Sequence, residues 1–130
     1  MVEAEGQRFD FDGLEAIRPE LLETFDYEYP DREAEVDIVT DEWNCVCPFS
    51  GLPDFGTLRI RYVPAGVCLE LKSLKYYLTT FRTVGVYQEH AANRILDDLV
   101  AASRPRRMEV TLDYRLRGGL HTVVTVSHKS

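Results

Sequence analysis

Nowhere does the sequence hold the roughly 18–20 consecutive apolar residues that a membrane-spanning helix needs, and its opening, MVEAEGQRFDFDGLEAI, is acidic where a secretory leader would be apolar. A cytoplasmic protein without a membrane partner is expected. Basic residues are outnumbered, 15 against 22 acids, for a formal net charge of −7 at pH 7. Such a surface repels phosphates on average, which argues against a nucleic-acid partner. Cysteine is scarce and odd in number: Cys45, Cys47 and Cys68 make no closed disulfide framework and suit a reducing compartment. There is no internal repeat and no low-complexity tract. What remains is 130 residues, 45% of them hydrophobic, enough for one domain with a real core.

Residues 1–34 are acidic, spotted with aromatics and without a clear period, and read as an N-terminal arm over a surface; residues 35–130 read as a single domain. From Glu35 the chain alternates, with Val36, Ile38 and Thr40 on one side, and TLRIRYV (57–63) and VCLELK (67–72) are further extended runs. The period then lengthens. Leu74, Tyr77, Leu78 and Phe81 fall at helical spacing behind Ser73, a candidate N-cap, and Ala91, Ile95, Leu99 and Ala102 share a face of a second helix over 87–102, with Pro105 beyond its end. Met108 to Arg117 alternate again, Gly118-Gly119 is a hairpin signal, and Leu120, Thr122, Val124 and Val126 mark the return strand. Strands, two helices and a long hairpin predict an α+β fold: an antiparallel sheet with helices on one face.

Three stretches carry candidate chemistry. NCVCPFSGLPDFG (44–56) offers a C-x-C pair and a lone acid among turn residues. A metal clip would need two further ligands, and Cys68, His90, His121 and His128 are all distant, so no metal is expected. Buried thiols acting as small hydrophobes suit Cys68 and Cys45. Cys47, held extended by Pro48 at a loop mouth, suits a nucleophile, with Asp54 as its acid–base partner. In ELKSLKYY (70–77), Lys72 and Lys75 flank a helix start; they are either solvated lysines or a small anion site in an acidic protein. Gln88-Glu89-His90 opens the second helix, where Glu89 is either first-turn electrostatics or a bidentate acceptor for the N–H edge of a purine-like ring. Tyr76, Tyr77, Phe81 and Tyr87 lie close by in sequence for stacking.

Together these stretches resemble the short, single-module form of the QueF family, NADPH-dependent 7-cyano-7-deazaguanine reductases of queuosine (tRNA modification) biosynthesis. ELKSLKY (70–76) matches the family's Glu-[Ser/Leu]-Lys-[Ser/Ala]-hydrophobic-Lys-aromatic signature, CPFSGLPDF (47–55) resembles its Cys-Pro-x-[Ser/Thr]-Gly-x-Pro-Asp-Phe loop, and FRTVGVYQEHAANRILDDL (81–99) its helical stretch with the recognition Glu. The resemblance implies that Cys47 adds to the nitrile to give a covalent thioimide while Asp54 supplies a proton, with two NADPH consumed per turnover. It implies NADPH contacts from Lys72, Lys75 and Ser73, and substrate contacts from Glu89, Gln88, Glu70 and Ser73. One departure is plain: the family usually has His where this chain has Gln88, which can hydrogen-bond but cannot take up a proton at neutral pH.

The implied fold is the tunnelling fold shared with GTP cyclohydrolase I, whose four-stranded sheets close between subunits into a barrel. A homo-oligomer is therefore expected, a decamer of two stacked pentamers, with 7-cyano-7-deazaguanine as the small-molecule partner. A GTP cyclohydrolase-like zinc hydrolase and a non-catalytic purine- or pterin-binding oligomer are the alternatives.

Overall fold

Alternation of apolar and charged residues builds the main sheet in the computed structural model, which describes residues 9–130. After two single turns of 3-10 helix, Leu14–Ala16 and Pro19–Leu21, the strands and helices are β1 (Thr24–Asp26), β2 (Val36–Val46), β3 (Pro53–Val63), β4 (Val67–Leu69), α1 (Leu71–Thr79), α2 (Gln88–Ser103), β5 (Arg107–Tyr114) and β6 (Val123–Lys129). Four strands form an antiparallel sheet in the order β2-β3-β5-β6, so the α+β antiparallel expectation holds. Leu58, Ile60, Tyr62, Met108, Val110, Leu112 and Tyr114 bury one face, and the helices cover it with Leu74, Tyr77, Phe81, Ala91, Ile95 and Leu99. The opposite face is charged and ion-paired across strands, Arg59 to Asp37 and Arg61 to Glu35.

β2 does not keep one period. Its register shifts between Thr40 and Trp43, where two residues stand against Thr57 alone, a β-bulge. Val36, Ile38 and Thr40 share one side as expected, and Val36 and Ile38 pack against the core; beyond the bulge the inward set is Trp43 and Cys45, which are buried. Cys47 continues that odd-numbered series.

Other boundaries also differ from the sequence reading. The third extended run ends at Leu69, and the cap of α1 is Glu70 rather than Ser73. The Glu70 carboxylate accepts from the backbone N–H groups of Lys72 and Ser73, both at 2.8 Å, so a longer side chain one turn earlier takes the capping bonds. Beyond β5 the chain makes a wider loop before β6, tipped by Gly118 and Gly119 at φ 57° and 79°, with Arg117 and Leu120 bridged around them. Leu120 and Thr122 precede the return strand instead of belonging to it.

The N-terminal arm lies partly outside the described residues, but from Phe9 on it is more ordered than its sequence suggests. β1 pairs antiparallel with β4, and Ile17 is buried in the core. Among the described residues no helix is long and apolar enough to cross a membrane.

Candidate active site

The β2–β3 hairpin presents the thiol. Cys45 stands opposite Asp54, and residues 47–52 form the connection. Cys47 closes it from both ends: its N–H donates to the Leu52 carbonyl at 2.9 Å and its carbonyl accepts from the Gly51 N–H at 2.8 Å. Gly51 sits at φ 76°, where a side chain would be strained. Burial tends to raise the Cys47 pKa, but the backbone N–H groups of Ser50 and Phe49 and the Ser50 hydroxyl outweigh it, and the thiol ends below its ordinary value. Cys45 is the reverse: burial, followed by the nearby Asp54 charge, pushes it up to about 12. Two cysteines one residue apart are therefore shifted in opposite directions, the half-buried Cys47 toward its thiolate and the buried Cys45 away from it. Burial likewise raises Cys68.

Asp54 is not in the loop, as its sequence context suggested, but on β3, where it is only 4% exposed. It is ion-paired with Arg117, a residue that the sequence offered only as the end of the alternating run from Met108. The Gly118-Gly119 turn brings Arg117 back over the hairpin, and its guanidinium meets the Cys47 sulfur as well. Partial burial opposes its charge, yet the Asp54 carboxylate and then Cys47 hold its pKa above the ordinary arginine value. The side chain of Arg117 remains 45% exposed, facing a cavity of about 420 Å³ that Cys47 and Gln88 also line. Cys47, Asp54 and Gln88 are thus brought to one place within one chain.

The remaining predicted residues lie elsewhere. Glu89 is exposed in the first turn of α2, and His90 is exposed with its ring edge-on to Tyr87 at 6.0 Å. Lys72 and Lys75 are exposed on α1 and in no ion pair among the described residues; the Lys72 ammonium lies 5.8 Å from the Tyr76 ring centroid. Lys75 borders a separate cavity of about 680 Å³ with Trp43, Leu71 and Arg82. Lys72 lines no part of that cavity and lies instead by the Tyr76 ring and near the Glu70 carboxylate. The free helix N–H groups expected to assist the two lysines are occupied, because the Glu70 carboxylate takes them, and those bonds lower its pKa. Ser73 is buried, its hydroxyl donating to the Glu70 carbonyl at 2.8 Å and accepting from the Glu23 N–H at 2.9 Å. Among the described residues no group of three or more His, Cys, Asp or Glu is placed to hold a metal ion.

The architecture has a solved counterpart. The crystal structure of the archaeosine synthase QueF-Like in the apo form matches with a TM-score of 0.66 at 21% identity, covering 75% of this chain and 94% of that one. The protein is thus an α+β chain with the fold of that synthase. In sequence, the family described as QueF-like protein matches residues 53–130. The NADPH-dependent 7-cyano-7-deazaguanine reductase of Chlorobium luteolum is 52% identical over 88% of this chain and 98% of its own length. The protein of the same name from Caldanaerobacter subterraneus is 50% identical over 95% of this chain and 92% of its own. The chain belongs to the QueF family.

Proposed function

We propose that the protein is an NADPH-dependent nitrile reductase that converts 7-cyano-7-deazaguanine to 7-aminomethyl-7-deazaguanine in queuosine biosynthesis. The observation that carries the reading is the lowered thiol of Cys47 beside the Asp54–Arg117 pair, at a cavity it shares with Gln88. Relatives about half identical over nearly their whole length bear that enzyme's name.

The sulfur of Cys47 adds to the nitrile carbon, opening one C–N π bond. Asp54, held by Arg117, carries the thiol proton to the nitrile nitrogen, so the thioimide forms with no net gain or loss of protons. Arg117 holds the carboxylate in place and keeps the thiolate form of Cys47 favourable. Bound NADPH supplies hydride, and two are required because nitrile to primary amine is a four-electron reduction. Cys47 leaves as thiolate after the first reduction, which frees an imine for the second. Lys72 and Lys75 hold the cofactor's phosphates by charge, and Glu70 and Ser73 serve them by fixing the start of α1. Glu89 accepts from the N–H edge of the deazaguanine and Gln88 hydrogen-bonds beside it.

Within one chain Cys47 and Gln88 line one cavity and Lys75 another, and a site assembled between copies brings them together. The open edges β2 and β6 suit closure of several sheets into a tunnelling-fold barrel, a homo-oligomer of two stacked pentamers. Three free thiols suit the cytoplasm.

The test is NADPH oxidation that depends on 7-cyano-7-deazaguanine, with two cofactors consumed per amine formed. Enzyme and nitrile without NADPH should give a subunit heavier by one substrate. Absence of both the oxidation and the adduct overturns the proposal.

A further inference from the structure

The residues ahead of the 3-10 turns touch both halves of this site. Asp12 forms a parallel bridge with Val84: its N–H donates to the Thr83 carbonyl at 2.7 Å, its carbonyl accepts from the Gly85 N–H at 2.9 Å, and its Oδ2 accepts from the Thr83 hydroxyl at 2.6 Å. The other edge of residues 84–86 is taken by Val46, which donates to the Val84 carbonyl at 2.9 Å and accepts from the Val86 N–H at 3.1 Å. Val46 immediately precedes Cys47, and residues 84–86 lead directly into the start of α2. A small ladder therefore runs from Asp12 through the approach to Gln88 and Glu89 to the base of the nucleophile loop.

The same strap meets the far side of that loop. The Phe9 N–H donates to the Ser50 carbonyl at 3.4 Å, and a Cβ on Gly51 would fall 2.1 Å from the Phe9 carbonyl oxygen. Phe11 lies equally close to Gly85, where a Cβ would meet ring atoms at 2.2 Å. The glycines are the places where the strap lies down. Ser50, one of its contacts, is the residue whose N–H and hydroxyl bond the Cys47 sulfur.

We infer that residues 9–12 form a positioning strap for the active site, fixing the Cys47 loop against the start of α2, with Asp12 as its anchoring residue. The inference rests on the proposed roles of Cys47, Gln88 and Glu89. Val46 alone ties the loop's base to residues 84–86; the strap adds a second fixed point at Ser50 and Gly51, and two points set an orientation where one leaves a pivot. Asp12 is exposed and Phe11 is 41% exposed, so neither adds much to the core. Their contacts are with the two segments that carry the site.

The experiment compares Asp12→Ala, Asp12→Asn and Phe11→Ala in the full chain by three readouts. These are the pH profile of Cys47 alkylation by iodoacetamide, mapped by peptide mass; kcat and KM for nitrile and for NADPH; and the melting temperature. The groups that face Cys47, namely Asp54, Arg117 and Cys45, are the same in every variant. Asp12→Ala should move the alkylation midpoint to higher pH and slow labelling at pH 7 by about 3- to 10-fold, as the Ser50 donors lose their aim. kcat should fall by a similar factor while KM for NADPH stays unchanged, because Lys72 and Lys75 are untouched. Asp12→Asn keeps an oxygen acceptor for the Thr83 hydroxyl and should restore the wild-type profile.

An unchanged profile and kcat in Asp12→Ala overturn the inference, as does an Asn variant as impaired as the Ala variant. Should Asp12→Ala not fold, Phe11→Ala decides by the same profile. Alkylation needs no turnover, so it reports on the strap even if Cys47→Ala were to retain activity, a result that would instead sink the proposed function.

Discussion

The nucleophile hairpin and the starts of the two helices hold the same kinds of polar group, yet they are finished to different degrees. In the hairpin, thiol, carboxylate and guanidinium are bonded to one another and to backbone N–H groups of the same chain. At the helix starts, Lys72, Lys75 and Glu89 are exposed and in no ion pair among the described residues. Folding of one chain sets the reactivity of the sulfur. In the proposed function, recognition is left to these groups, whose partners would be a ligand or a neighbouring copy.

The sharpest way to break this comparison is at the sulfur. Cys47→Ala should abolish both the covalent adduct and turnover, while Cys45→Ala should keep both; an adduct that survives in Cys47→Ala would put the chemistry elsewhere. Asp54→Asn keeps the shape but not the proton transfer, and turnover should fall by roughly 10²-fold or more, the scale of general acid–base catalysis. Near-normal turnover there would reduce the Asp54–Arg117 pair to architecture.

On the recognition side, Glu89→Ala removes a charged acceptor and should weaken nitrile binding by about 10- to 100-fold in calorimetry, with NADPH binding little changed. Removing one lysine of an exposed pair costs less. Lys72→Ala or Lys75→Ala should raise KM for NADPH only about 3- to 10-fold, and high salt should narrow the gap to wild type. Unchanged NADPH kinetics in both would return α1 to a structural role.

The smallest effect is a matter of pH. Because the Cys47 pKa lies below its ordinary value, its labelling should rise with pH through a midpoint below that of an ordinary thiol and then level off. Cys45, pushed up to about 12, should stay unlabelled at neutral pH. Equal labelling of the two would erase the contrast on which the hairpin's chemistry depends.

The sequence exposed what local period carries and hid what crosses the chain. Alternation placed β3 and β5, helical spacing placed the buried face of α2, and Gly118-Gly119 marked a true turn. Cys47 stood out because proline and glycine leave few structural reasons for a thiol there. Arg117 did not, since its partner Asp54 is 63 residues away and nothing in RLRGG announces an ion pair. Glu70 read as a strand residue because a Glu and a Ser three apart can exchange capping roles, and only the backbone geometry decides between them. The 9–12 strap has no period, since it is held mainly by backbone hydrogen bonds and contacts with glycine.

The bulge at Asp41 and Glu42 gives β2 one residue of slack. Losing a residue within a strand normally turns every side chain beyond it to the other face, which here would point the sulfur out of its pocket. At this one place the opposite holds: removing either Asp41 or Glu42 would let Thr40, one residue and Trp43 pair regularly with Leu58, Thr57 and Gly56, and Cys45 and Cys47 would keep their direction. The strand would lose its local bend but not its chemistry. Shortening β2 is thus tolerable for catalysis at the bulge and ruinous a few residues later, at Asn44 or Val46, where no spare residue exists to absorb the change.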